Sequence, residues 1–325
     1  MENTLDKKKN LRKIIPYAII LLAFLIVPAF TGNIYWLGVF IFIMYQMIGS
    51  VSLRTIFLSG NISFAHGSFI AMGAYFAGIL AKDLGFPPGV TLLAGALFAC
   101  VISVITGFPF VRLRGLYYGM ASLFMGVAII YVIQALKVTG GSRGLLDIPS
   151  MFSSIYANYY FFVILTVVCL LAMYRFEFSR IGITLRALAQ SPEVASSIGV
   201  SESFYKLLAL GFGSFFAGLT GAAFALYSTV LSTTNYGLTF SIWLLMYMMI
   251  GGDSKFIGPV IGTVIFVLIP EIGRSFSAYA PYLTAAAMLV VAYLIPGGLA
   301  GIPDLIRRRK RKNKVENLSE GGQAI

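Results

Sequence analysis

Long apolar runs separated by short polar breaks dominate the chain. Ten stretches stand out: 14–30, 34–53, 62–81, 88–110, 116–136, 155–174, 206–230, 238–251, 256–275 and 281–297. A helix that crosses a bilayer needs about 20 mostly apolar residues. The runs are rich in Leu, Ile, Phe, Met and Ala, and they do not alternate over about ten residues as membrane-barrel strands do. The pattern therefore predicts an all-α polytopic membrane protein with about ten transmembrane helices. Two spans are expected to be short or broken. The stretch 238–251 is short, and 62–81 is interrupted by His66 and by several glycines and serines.

Composition agrees with a bilayer as the solvent. Of the 325 residues, 58% are hydrophobic and only 11% charged, and the mean hydropathy is +0.88. Soluble domains sit near about 45–50% apolar and about 25% charged. A soluble enzyme and a disordered chain are excluded. The net charge of +12 would suit nucleic acid, but its distribution points elsewhere. With the N-terminus inside and alternating spans, 20 of the 24 basic residues fall on the cytosolic side. Lys82, Lys137, Arg143 and Arg274 are left outside. Cytosolic loops carry the Lys/Arg excess of membrane proteins, so both ends are expected in the cytosol. The expected organisation is a basic N-terminus (1–13), a single transmembrane domain (14–304) with the cytosolic loop 175–205, and a basic, flexible tail (305–325). The run Arg307 to Lys314 reads as a contact with anionic lipid rather than with nucleic acid. The first span, 14–30, lacks a clear small-x-small cleavage site and reads as an uncleaved helix.

The chemistry that is missing narrows the function. The spans hold almost no ionisable side chains, whereas proton relays need them at mid-depth. Ion coupling through backbone carbonyls stays open. There is no GxxxxGK[ST] phosphate loop, and the single histidine cannot build a paired metal or triad site. Cys100 and Cys169 lie in apolar spans without ligand spacing. No catalysis, metal or cofactor is expected in this chain, so any driving energy must come from another subunit.

Small residues recur at helical spacing: Gly115 with Gly119, Gly258 with Gly262, and Ser214, Gly218 and Ala222 with Ala217 and Gly221 beside them. Such stripes let helix backbones approach closely in lipid. The longest internal polar segment is 175–205. Its apolar residues Ile181, Leu185 and Leu188 predict one short helix. Ser191-Pro192-Glu193 then predicts the start of a second, with Gly199 as its stop. Two amphipathic helices here could dock a partner or lie on lipid. The Gly- and Ser-rich stretch 139–151 reads as an external loop.

Several motifs in register resemble the permeases of branched-chain amino acid ABC importers, of the LivM type. GNISFAHGSFIAMGAY (60–75) is similar to GQxSxGHxxFxxxGAY, and RLRGLYYGMASL (112–123) to RLRGxYxAxxTL. TGGSRGL (139–145) matches TGGxxGL, and RIGITLRALAQSPEVASSIGV (180–200) followed by YKLLA resembles the family's cytosolic loop. SIWLLMYMMIGGDSKFIGPVIG (241–262) resembles SxxxxxxxxxGGxGxxxGPxxG. Val127 stands where family members often carry Glu, Asn61 replaces Gln, Ala65 replaces Gly, and GGDSK replaces GGxGT.

The resemblance implies a subunit that works with a second homologous permease, two ATP-binding subunits that use the ATP, and an extracytoplasmic substrate-binding protein. It implies the cytoplasmic (inner) membrane of a bacterium or archaeon. Arg180, Gly182, Arg186, Glu193 and Gly199 would belong to the loop that couples to the ATPase. Asn61, Ser63, His66, Tyr75, Thr139, Gly140, Gly141 and Gly144 would be candidates for the translocation path or its gate. Urea or a short amide is an alternative cargo. A stand-alone secondary transporter or channel is the alternative from a different class.

The charge pattern makes a direct prediction. Reporter fusions should place residue 143 outside and residues 190 and 312 inside; a fusion at 190 that reports outside would break the proposed topology.

Overall fold

The computed structural model describes residues 33–273 and 298–301, with isolated positions at 282, 285, 286, 289 and 293. The basic N-terminus, the expected span 14–30, most of the span 281–297, Arg274 and the basic tail lie outside the described residues. Among the described residues the regular structure is helical, with one isolated antiparallel bridge between Leu145 and Leu231.

The apolar runs become helices close to their expected limits. They are α1 (Ile34–Phe57), α2 (His66–Lys82), α3 (Pro88–Gly107), α4 (Gly115–Ala135) and α5 (Ile155–Glu177). The polar segment forms α6 (Arg180–Gln190) and α7 (Pro192–Ser197), and α8 (Glu202–Ser228), α9 (Leu238–Gly251) and α10 (Gly258–Ile272) follow. Local chemistry sets several ends. The Asn33 side chain accepts from Tyr35 N and caps α1. Pro88 occupies the first turn of α3 and Pro192 that of α7, where the missing N–H costs nothing.

Five of these helices, α1, α3, α4, α5 and α8, are long and apolar enough to cross a membrane. The chain is a polytopic helical membrane protein. The two segments expected to be short or broken are the 17-residue α2 and the 14-residue α9. α10 is also short, at 15 residues, and carries Pro270 inside it. α5 runs three residues beyond the expected 174 and takes in Glu177. α1 runs past 53 and takes in Arg54. These extensions bring charge into helices that hydropathy alone ended early.

The chain divides into two compact units, parting between Leu245 and Met246 inside α9. In the first unit α8 packs against α1, α2 and α3. The closest approach lies where Gly73 of α2, Gly95 of α3 and Gly218 of α8 meet. A Cβ on Gly73 would overlap the Gly218 backbone, and one on Gly95 would come 2.7 Å from the Gly73 carbonyl oxygen. Gly221 sits equally tightly on the Ile70 carbonyl. In lipid, helix association has little hydrophobic drive and depends on such close packing. The second unit has its own tight turn. A Cβ on Gly258 would overlap the Gly252 carbonyl, and one on Gly262 would overlap the Tyr247 carbonyl. Lys255 Nζ donates to the Ala300 carbonyl at 3.0 Å.

The contact at Gly73 is testable. Gly73→Ala should destabilise the purified protein by about 1–3 kcal/mol, the usual cost of overpacking, read as a lower thermal midpoint in detergent. Gly89→Ala, where a Cβ meets nothing within 4 Å, should be neutral or slightly stabilising.

Candidate functional site

The first candidate region is built where two helices begin inside the protein. Between α1 and α2 the chain runs through a non-helical segment whose Asn61 and Ser63 are 4% and 0% exposed. Buried backbone without a helix must find other partners. Here it finds them in serines of distant elements. Phe64 N donates to Ser122 Oγ of α4 at 3.1 Å, and Gly67 N donates to Ser241 Oγ of α9 at 2.8 Å. Ser68 Oγ closes the first turn on the Ala65 carbonyl at 2.6 Å. α9 begins next to this point, after a 3₁₀ turn at Thr233–Tyr236. A small cleft of about 170 Å³, including its open mouth, lies between these beginnings and α4. Its walls include Phe64, Leu123, Val127, Tyr236, Leu238 and Ser241.

His66 opens α2 and is fully buried. Its Nε2 lies 2.8 Å from Ser52 Oγ, whose hydroxyl donates to the Gly49 carbonyl at 2.9 Å. The direction of the Ser52–His66 bond follows from the histidine tautomer. Nδ1 is buried and has no hydrogen-bond partner among the described residues. The ring ties α2 to α1 rather than lining the cleft. Tyr75 lies further along α2, 2% exposed, and its hydroxyl has no hydrogen-bond partner among the described residues.

The candidates at 139–144 sit at the other end of α2. Thr139 Oγ1 donates to the Leu136 carbonyl at 2.7 Å and closes the end of α4. Gly140 and Gly144 adopt φ of +78° and +80°. A Cβ on Gly144 would overlap the Leu231 carbonyl, and one on Gly140 the Gly144 carbonyl. Leu145 and Leu231 exchange backbone hydrogen bonds at 3.0 and 2.8 Å, and Ile148 N donates to the Thr229 carbonyl. Lys82 Nζ reaches the Leu146 carbonyl at 2.9 Å. The loop is pinned to the chain that follows α8. Asn61, Ser63 and His66 therefore gather at the start of α2, while Thr139, Gly140, Gly141 and Gly144 gather past its far end.

The second region is α6 with α7. Ser179 caps α6 by accepting from Gly182 N. Leu185 packs into a buried cluster with Leu58, Phe176 and Ala209, and Phe176 stacks on Phe212 of α8 at 4.0 Å. α7 ends in a left-handed Gly199 at φ +85°, whose N–H donates to the Ser196 carbonyl while Val200 N donates to that of Ala195. That double bond pattern is the glycine stop expected from the sequence. Arg180 and Glu193 are exposed. The outer surface is apolar in places: Ile183, Val194 and Ile198 are 60%, 64% and 76% exposed.

Arg186 does not project from this platform. Its Nη2 donates to the Glu177 carbonyl at 2.6 Å, its Nη1 lies 3.4 Å from Glu177 Oε1, and its guanidinium sits over the Phe178 ring at 5.3 Å. The same carboxylate takes two bonds from Arg54, from Nε at 3.0 Å and Nη2 at 2.8 Å. Sequence reading counted Arg54 only as a cytosolic charge and passed over Glu177. The signal was one acid among the bases 175–186, but nothing local names its partner 123 residues away. Removing one member of a buried pair costs about 3–5 kcal/mol because the other charge is stranded.

The small-residue pairs divide. Gly218, Gly221, Gly258 and Gly262 are true close approaches. Gly115 is not: it starts α4 at φ +55° with nothing near its missing Cβ, and Gly119 has ordinary contact with Phe64 at 3.4 Å. Its spacing looked like a packing stripe, but its need for glycine is conformational. Among the described residues no three His, Cys, Asp or Glu side chains gather as metal ligands would.

Helices long and apolar enough to cross a bilayer, buried helix breaks that meet in the interior and an amphipathic platform define a polytopic helical membrane protein. The chain belongs to the family described as branched-chain amino acid transport system / permease component, whose model matches residues 35–296. It is similar to the high-affinity branched-chain amino acid transport system permease protein LivM of Salmonella typhimurium. The two are 24% identical over 286 residues, which span 79% of this chain and 67% of that protein. It is also 24% identical over 311 residues to LivM of Escherichia coli K12, across 86% of this chain and 72% of that one. A solved structure of PsaBC from Streptococcus pneumoniae in complex with Fab aligns over 83% of this chain and 95% of that chain. Identity there is 14% and the TM-score 0.46, below the level at which a shared fold is argued.

The fit of α6 against Glu177 is testable. A Cβ on Gly182 would overlap the Glu177 carbonyl. Gly182→Ala should therefore displace α6 and increase proteolysis within 180–200 in intact membranes. Gly199→Ala, with open space but a positive φ, should cost only about 1–2 kcal/mol of local strain and leave cleavage elsewhere unchanged.

Proposed function

We propose that this chain is the membrane subunit that forms the translocation path of an importer for branched-chain amino acids, energised by separate ATP-binding subunits. The family match over 35–296 carries the reading, because it takes in both interior helix starts and the α6–α7 platform. The path passes the narrow cleft beside Phe64, Leu123, Val127 and Leu238, which must widen to admit an amino acid. The N-termini of α2 and α9 beside it present the positive ends of two helix dipoles, which favour a carboxylate.

On this reading ten spans place both termini in the cytosol of a bacterial inner membrane. The exposed apolar side chains of α6 and α7 then meet the ATP-binding subunits. A second homologous permease completes the path, and an extracytoplasmic binding protein delivers the amino acid to the face bearing 139–151.

Reconstitution tests this. The chain, its second permease, the ATP-binding subunits and the loaded binding protein should take up leucine, isoleucine and valine into liposomes only with ATP. Val127→Trp, which fills the cleft at a half-buried position, should lower uptake by about tenfold or more while assembly is kept. Uptake of urea alone, or ion-driven uptake by the isolated chain, would overturn the reading.

A further inference from the structure

One carboxylate joins α6 to the approach of the cleft. Glu177 closes α5 and receives Arg54 of α1 through two nitrogens and Arg186 of α6 through a third. The side chains of Arg54 and Glu177 are 2% and 4% exposed. Arg54 lies four residues before Leu58, where the chain leaves α1 for the non-helical segment that ends at Phe64 and Ala65. Phe64 is a wall of the cleft. The same segment touches α6 a second time: a Cβ on Gly60 would lie 3.3 Å from Ala189 Cα. α6 is thus fastened both to the end of α1 and to the strand of chain leading from α1 to the cleft.

A buried ion pair is a poor source of stability. The neighbouring core of Leu58, Phe176, Leu185 and Ala209 is apolar, and apolar replacements of a buried pair are often neutral or stabilising. What a two-point guanidinium–carboxylate contact adds is fixed orientation. We propose that Glu177 is a positioning residue. By holding Arg54 and Arg186 on one carboxylate, it makes α6 and the end of α1 move together, so that displacement of α6 reaches the cleft through the segment after Leu58. This rests on the reading of α6–α7 as the place where the ATP-binding subunits act.

The test uses the fully reconstituted importer. The double variant Arg54→Met with Glu177→Leu removes the charges but fills the space, and should fold and assemble with the ATP-binding subunits. Its uptake per ATP hydrolysed should fall about tenfold, a typical coupling between sites. Arg186→Gln should act likewise, and the triple variant should be no worse than Arg186→Gln alone, because members of one network do not add. Wild-type uptake per ATP in the double variant would overturn the inference, as would an additive loss in the triple variant. Failure of the double variant to fold would overturn it too, since the pair would then be a structural need. These outcomes leave the proposed function standing; absence of ATP-dependent uptake by the wild-type importer would instead remove that function.

Discussion

Lipid offers no hydrogen bonds, and this constraint governs how the interior is built. A chain that breaks its helices inside a membrane must satisfy the freed backbone from within. The segment before α2 does so with side chains drawn from far along the sequence, Ser122 for Phe64 N and Ser241 for Gly67 N. His66 adds a side-chain bond between α2 and α1 through Ser52. These bonds hold the start of α2 against α4 and α9, and the cleft lies where they converge. Its walls are therefore placed by the serines that hold them.

Close helix contact makes that arrangement possible. Gly73, Gly95 and Gly218 bring α2, α3 and α8 together at the level of their backbones. With α8 seated this deeply, its start carries Ala209 and Phe212 to the cluster beneath α6. Packing of apolar helices and placement of the polar platform are thus parts of one structure. The platform is not an independent surface module. It is anchored by Leu185 in the core, by Gly182 against the end of α5 and by Arg186 on Glu177.

The ion group also changes how the charges are read. Arg54 and Arg186 both counted toward the cytosolic excess that set the expected orientation. In the structure one is buried and the other half-buried, and both meet Glu177. By contrast Arg114, its side chain 54% accessible, meets Glu202 near the surface, where Glu202 also takes the buried Lys206. Charge in the sequence therefore carried two meanings, orientation and internal fastening, and only position in the fold separates them.

The sequence by itself determined the helices. Long apolar runs, Pro at first turns and the Ser191-Pro192 and Gly199 signals are local, and hydropathy and capping act over a few residues, so α1–α10 fall near their expected limits. It also marked 62–81 and 238–251 as irregular, because His66, the serines and the short length are visible in line. The motif order was legible enough to suggest the family. What only the tertiary structure decided involves pairs remote in sequence. Arg54 meets Glu177, Gly67 meets Ser241, and Gly73 meets Gly218, and a linear pattern holds no term for any of these meetings. Spacing alone could not tell Gly218, which needs glycine for a neighbour's backbone, from Gly115, which needs it for its own φ. Nor could it show that Arg186 folds back onto α5: a side chain's direction is set by the charge it finds in space, and that charge is placed by the packing of α1, α5 and α8.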